Sequence, residues 1–248
     1  MRVVVGIPAR LASSRMPEKP LVELLGKPMI EHVYKRCESG DWYTFVATCD
    51  DKIKDVVECF GGNVIMTEKN IPRPGLRVLS ACESLNLDDD DIVIVAQGDE
   101  PFIRQSTLKQ LVYEIEKDDA YCVHCMVIGD NDDYNSPDEI KGISDGNGYI
   151  IYFSRSPIPS NYRDDDLLIY KQFCIFGYRY KNLKDMYNLP QGFYERVESI
   201  EMLRLIENHK KIKMLFVDYP TKSVDTIKDR NDAERMLLGD DYYERTGI

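Results

Sequence analysis

Short apolar runs set between segments of helical period dominate this chain, and that alternation admits few folds. Val3–Ile7, Thr44–Thr48, Asn63–Met66 and Ile92–Ala96 read as buried strands. Between them, Pro28–Ser39, Asp51–Phe60 and Leu76–Leu87 read as helices; the first carries Met29, Ile30, Val33 and Cys37 at helical spacing. Gly61-Gly62 stops the second helix. Strand–helix–strand units of this kind predict an α/β fold with a mostly parallel sheet.

The texture changes past Glu100. Ser106–Glu116 reads as a helix, and Tyr121–Ile128 and Lys141–Phe153 as strands separated by the Asp/Asn-rich stretch 130–138. Asp145-Gly146-Asn147-Gly148 has the composition of a hairpin turn. Cys174–Tyr178 is the next strand, Tyr194–Glu207 a helix, Lys211–Val217 a strand and Lys228–Leu237 a closing helix. With 248 residues and no repeat or linker, the chain reads as one domain with a β-rich insertion over roughly 121–180.

A net charge of −11 argues against a nucleic-acid surface, which needs clustered Lys and Arg. It leaves room for one small anionic ligand. No signal-peptide pattern precedes the first strand and no apolar run is long enough to cross a bilayer. Together with seven scattered cysteines, this makes the cytoplasm the expected compartment. Cys122, His124 and Cys125 lack a second ligand pair for zinc and read as core residues. His32 and His209 have no readable nucleophile partner, and Asp88–Asp91 reads as a solvated charge run.

Three polar loops carry the candidate chemistry. The first, Pro8 to Leu21, places Arg10, Arg15 and Lys19 just after the first strand. In an open α/β sheet that is where ligands bind, and cations with backbone N–H groups suit a triphosphate. The loop lacks the glycine spacing of a Walker or dinucleotide motif. The second, Gln97-Gly98-Asp99-Glu100-Pro101, puts a carboxylate at the exit of the strand Ile92–Ala96, suited to a metal beside phosphates. The third, Ser223-Val224-Asp225-Thr226, offers a second carboxylate; Asp225 reads equally as a metal ligand or as the N-cap of the last helix.

Those loops, with Gly26-Lys27-Pro28-Met29-Ile30, Tyr152-Phe153-Ser154-Arg155 and Gly177-Tyr178-Arg179, occur in the order found in CMP-Kdo synthetases, and the chain resembles that family along its whole length. Kdo is the eight-carbon ulosonic acid of lipopolysaccharide. The resemblance implies a Rossmann-like sheet of the nucleotide-diphospho-sugar transferase type, with a smaller β-rich part that forms a homodimer. It implies a CTP site at Pro8, Ala9, Arg10, Arg15, Lys19, Gln97 and Gly98, with Mg²⁺ held by Asp99 and Asp225. It also implies transfer of CMP to an acidic sugar with release of pyrophosphate. Metal and cationic loop would neutralise the transferring phosphate, with no dedicated side-chain base required.

The acceptor side departs from the family. Where its members carry His-x-Ser-Gly-Thr-x-Arg, this chain has Ile71-Pro72-Arg73-Pro74-Gly75-Leu76-Arg77. Lys-His-x-Gly is replaced by Lys171-Gln172-Phe173-Cys174, and a Glu-Gln pair by Glu201-Met202. The expected acceptor set is therefore Arg73, Arg77, Arg155, Gln172, Tyr178, Glu198, Glu201 and Met202. Glu195, Glu198 and Glu201 would share one helix face, turned to acceptor hydroxyls or to solvent. Two acceptors stay open: Kdo itself, or an altered ulosonic acid or other anionic acceptor such as a phosphonate. A non-catalytic nucleotide-binding homologue is the rival from another class.

Overall fold

The computed structural model describes residues 1–12, 15–163 and 166–247, so Ser13 and Ser14 of the cationic loop lie outside the described residues. The chain packs as two compact units, Met1–Lys109 with Thr221–Ile248, and Gln110–Pro220. The second extends on both sides of the segment expected to be β-rich.

In the first unit, β1 (Val3–Pro8) is followed by a small hairpin, β2 (Glu23–Leu24) and β3 (Lys27–Pro28), then α1 (Met29–Cys37) and β4 (Tyr43–Thr48). Next come α2 (Asp51–Cys59), β5 (Val64–Met66), α3 (Pro74–Cys82) and β6 (Ile92–Ala96). Strand β1 pairs in parallel with β4 on one side and β6 on the other, and β4 pairs in parallel with β5. This is the parallel, helix-flanked sheet that the alternating pattern predicts. Every residue of β6 is buried, as a strand covered on both faces requires. At Gly6 a Cβ would meet Val78 Cγ1 at 2.5 Å, so glycine lets α3 lie close against β1.

α4 (Gln105–Lys117) leads into the second unit. There β7 (Cys122–Ile128), α5 (Asn131–Asn135), β8 (Lys141–Ser144), β9 (Ile150–Ser154) and β10 (Tyr170–Arg179) follow in order. α6 (Tyr180–Met186), α7 (Phe193–Glu198), α8 (Leu203–Glu207) and β11 (Ile212–Val217) complete it. β7 runs parallel to β11 and antiparallel to β10; β8 pairs antiparallel with β10 and β9. The segment Lys141–Phe153 is a hairpin turning at 145–148, with Gly148 at a φ of 76°. The chain then returns to the first unit as α9 (Ile227–Leu237) and α10 (Asp241–Thr246).

One expectation is corrected. Tyr194–Glu207 is not one helix: Ser199 adopts a left-handed φ of 55°, ending α7, and α8 starts only at Leu203. Within the Asp/Asn-rich stretch, Asp130 and Asp133 form a capping box that starts α5. Among the described residues no helix is long and apolar enough to cross a membrane.

The β7 core contains a neutral histidine. His124 is fully buried, stacked on Phe176 with ring centroids 5.3 Å apart. Its Nδ1–H donates to the Cys125 carbonyl at 2.9 Å, which leaves Nε2 to accept from the Gln172 amide at 2.9 Å. Burial pushes its pKa down from 6.5 to about 4. As pH falls, the unfolded chain therefore takes up this proton first, so the contribution of His124 to stability is complete above 6.5 and is lost toward 4. The difference amounts to about 2–3 kcal/mol between pH 7 and 4.5. Denaturant unfolding of a His124→Gln variant at the two pH values is expected to show a pH dependence smaller by that amount; an unchanged dependence would show that other groups carry it.

Candidate active site

The cationic loop leaves β1 under tight backbone control. Ala9 N–H donates to the Ala47 carbonyl at 3.0 Å, Leu11 N–H to the Asp50 carboxylate at 2.8 Å, and Glu18 N–H to the Leu11 carbonyl at 3.2 Å. Glu18 turns the chain with a φ of 55°, and the 3₁₀ turn Lys19–Leu21 follows, with Pro20 at its start. Arg10 and Arg15 are thereby exposed, while Lys19 is drawn inward. Met16 anchors the middle of the loop in an apolar cluster with Leu24, Met29, Phe102, Val224, Ala233 and Leu237.

That cluster brings the three polar loops together. Phe102 follows the β6 exit and Val224 immediately precedes Asp225. Val224 N–H donates to the Asp99 carbonyl at 3.0 Å, and the Ser223 hydroxyl donates to the buried Glu100 carboxylate at 2.7 Å. At Gly98 a Cβ would lie 3.2 Å from the Pro8 carbonyl, so this glycine permits the close approach of the β6 exit to the end of β1. Gln97, half-buried, occupies the last position before that glycine.

The result is a compact charge centre. Lys19 Nζ donates to the Asp99 carboxylate and, at 2.8 Å, to Asp225 Oδ1. Arg15 reaches the same Asp225 oxygen at 3.0 Å. Burial works to lower the Lys19 pKa, but Asp99 and Asp225 together outweigh it and hold the ammonium above its usual value. The cap reading of Asp225 is overturned: Thr226 is the N-cap of α9, in a capping box with Asp229, so the Asp225 side chain is released to the cations.

Two carboxylates that converge on one ammonium fit a hard divalent cation, which needs only one or two protein carboxylates when phosphates and water supply its other ligands. Among the described residues no group of three or more His, Cys, Asp or Glu forms a denser metal cage. The centre thus holds both signs of charge that a metal–triphosphate complex requires.

The expected acceptor residues fare unevenly. Arg77 is buried, donating to Thr67 Oγ1 at 2.6 Å, the Glu68 carbonyl at 3.2 Å and the Ile71 carbonyl at 3.0 Å. In this structure it braces the loop after β5. Arg73 sits half-buried at the start of α3, at the far end of that braced loop.

In the second unit, Tyr178 and Met202 are core residues, with the Tyr178 hydroxyl 3.2 Å from Met186 Sδ and 3.6 Å from Met202 Sδ. Neither has surface to offer an acceptor in this conformation. Gln172 is engaged with His124. The break at Ser199 separates Glu201 from Glu195 and Glu198, which alone share α7. Glu195 is fully buried and accepts from Arg204 at 2.7 and 2.8 Å, Glu198 accepts from the Ser154 hydroxyl at 2.7 Å and Arg155 N–H at 2.9 Å, and Glu201 accepts from Tyr187 at 2.7 Å. Arg155 donates to the Glu198 carbonyl at 2.8 Å and the Pro137 carbonyl at 2.9 Å.

The family model described as Cytidylyltransferase matches residues 4–212. The chain belongs to that family. It is a nucleotidyltransferase, and its relatives span the same length. It is 38% identical to the 3-deoxy-manno-octulosonate cytidylyltransferase of Thermodesulfovibrio yellowstonii, over 96% of this chain and 98% of that protein. It is 37% identical to the 8-amino-3,8-dideoxy-manno-octulosonate cytidylyltransferase of Shewanella baltica, over 97% of this chain and all of that one. A solved structure of CMP:2-keto-3-deoxy-manno-octonic acid synthetase complexed with CTP superposes with a TM-score of 0.88 at 31% identity, covering 96% of this chain and 99% of the other.

Sequence reading missed Lys141 in this cytidylyltransferase. Its side chain is fully buried and its Nζ donates to the Ser136, Glu139 and Arg155 carbonyls at 2.6, 2.7 and 2.8 Å. Burial lowers its pKa. A lone lysine opening a strand gives no sequence signal of such a role. Lys141 and Glu198 grip the Ser154–Arg155 segment from two sides, so Glu198→Ala is expected to lower stability by about 2 kcal/mol through two lost hydrogen bonds. Urea unfolding checks this; an unchanged midpoint would mean that Glu198 does not hold the segment.

Proposed function

We propose that this cytidylyltransferase transfers CMP from CTP to an eight-carbon ulosonic acid, Kdo or 8-amino-Kdo, with Mg²⁺ and release of pyrophosphate. We further propose that it works in the cytoplasm, in keeping with its scattered cysteines, and as a homodimer, as the resemblance implies. The observation that carries the reading is the convergence of Asp99 and Asp225 on Lys19 beside Arg15. The names of the full-length relatives supply the two acceptors.

In this reading an acceptor hydroxyl oxygen attacks the α-phosphorus of CTP and gives up its proton to water, the bond to the β-phosphate oxygen breaks, and pyrophosphate departs. Arg10, Arg15 and Lys19 bind the triphosphate and offset the charge that builds on the leaving group. Gln97 and the backbone from Pro8 to Ala9 and at Gly98 hold the nucleoside end. Asp99 and Asp225 would hold Mg²⁺, which when bound would supply further charge neutralisation. Positioning contributes much of the remainder, since both substrates are gathered at one fixed geometry. Arg73, a forked cation, is suited to the acceptor carboxylate.

Pyrophosphate release with CTP, Mg²⁺ and a panel of acids tests this. Release is expected with Kdo or 8-amino-Kdo, and Asp99→Asn is expected to lower kcat by about 10²–10³-fold, the range for losing one preorganised electrostatic group. Release confined to a phosphonate would move the acceptor assignment to another class of anion. Full activity in Asp99→Asn would remove that residue from the reaction.

A further inference from the structure

The carboxylate pair already holds a cation, and that cation belongs to the chain. Lys19 Nζ is bonded to both Asp99 and Asp225, with its side chain only 16% exposed. Two of its three N–H donors are spent on the carboxylates, and a divalent ion bridging the pair through the same two oxygens would need the place that the ammonium holds.

We infer that Lys19 is a built-in placeholder, seated between Asp99 and Asp225 in the free enzyme and displaced from them when metal and triphosphate arrive together. This inference rests on the proposed metal role of the two aspartates. Three features of the centre support it. Lys19 is carried on a loop whose neighbouring turns are fixed by the Glu18–Leu11 backbone bond and the buried Met16, so its ammonium is delivered to the pair rather than finding it by chance. Asp225 is relieved of capping duty by Thr226, and its side chain meets Lys19 and Arg15. The placeholder also keeps two neighbouring carboxylates from repelling each other before any ligand is bound, which preserves their spacing.

The consequence is a coupling between ligands. A triphosphate that draws Lys19 away bares the aspartates for metal, and metal that enters frees Lys19 for phosphate; by linkage each raises the affinity of the other equally. Metal alone must displace the ammonium without any phosphate to receive it, and so binds weakly.

Mn²⁺ serves as the probe, with binding followed by electron paramagnetic resonance in the absence of nucleotide. Lys19→Met is expected to bind Mn²⁺ at least about tenfold more tightly than the parent, within the ~5–150-fold typical of coupled sites. Arg10→Met removes the same charge from an exposed position on the same loop and is expected to stay within about twofold, because salt screens it. Equal tightening in both variants, or none in Lys19→Met, would overturn the placeholder. In the unaltered enzyme, saturating Mn²⁺ without nucleotide is expected to increase acylation of the Lys19 amine, read by peptide mass spectrometry, and added CTP to suppress it again. Unchanged acylation would overturn the inference without reliance on any variant. If Asp99→Asn in the Lys19→Met background leaves Mn²⁺ binding intact, the metal assignment itself fails, and the placeholder with it; loss of binding there leaves the metal reading standing whatever Lys19 does.

Discussion

A patch of seven buried apolar side chains governs the placement of charge in the first unit. Met16, Leu24, Met29, Phe102, Val224, Ala233 and Leu237 come from segments far apart in sequence, and Met16, Phe102 and Val224 lie within three residues of Lys19, Asp99 and Asp225 respectively. Fixing a backbone residue costs roughly 1–2 kcal/mol, and a loop crowded with cations and carboxylates has little means of offsetting that by itself. Burial of Met16, Phe102 and Val224 offsets it next door. The polar groups then meet with their backbones already positioned, and the Val224–Asp99 and Ser223–Glu100 hydrogen bonds hold the two acidic loops in register. Charge is arranged here by hydrophobic contact.

The second unit follows a different rule. Several of its polar side chains are spent on the chain's own backbone. Lys141 occupies a cage of three carbonyls, Arg155 spans two more, and both oxygens of Glu198 are taken. Glu195 is locked to Arg204 in the interior. A buried ion with every donor satisfied gives a segment one geometry, whereas removal of one partner strands the other. The Ser154–Arg155 corner is therefore held by polar contacts to the degree that the cationic loop is held by apolar ones.

This contrast explains what could be read beforehand. The parallel strands, the helices between them and the loops bearing Lys19, Asp99 and Asp225 follow from local pattern: unbroken apolar runs such as Ile92–Ala96, and polar residues at strand exits. Asp225 was ambiguous because a carboxylate one residue before a helix looks like a cap until Thr226 is seen to fill that place. Arg77, Tyr178 and Met202 were read as ligand-facing from their place in motifs, yet their partners, Ile71, Met186 and others, are set by tertiary packing. The break at Ser199 leaves no mark in composition, since neither Gly nor Pro stands there. Strand patterns are local and legible; carbonyl cages and left-handed single residues are made by the rest of the molecule.

The first unit is assembled from both ends of the chain, and Lys19 and Asp225 stand 206 residues apart. During synthesis the β1 loop and the β6 exit leave the ribosome early, yet the second aspartate and the α9 residues that seat it emerge only after the whole intervening unit. A nascent chain can thus form most of its parallel sheet while its charge centre lacks one acidic arm. The charge centre is completed as a late event of translation, and fragments released early carry the cationic loop without the means to finish it.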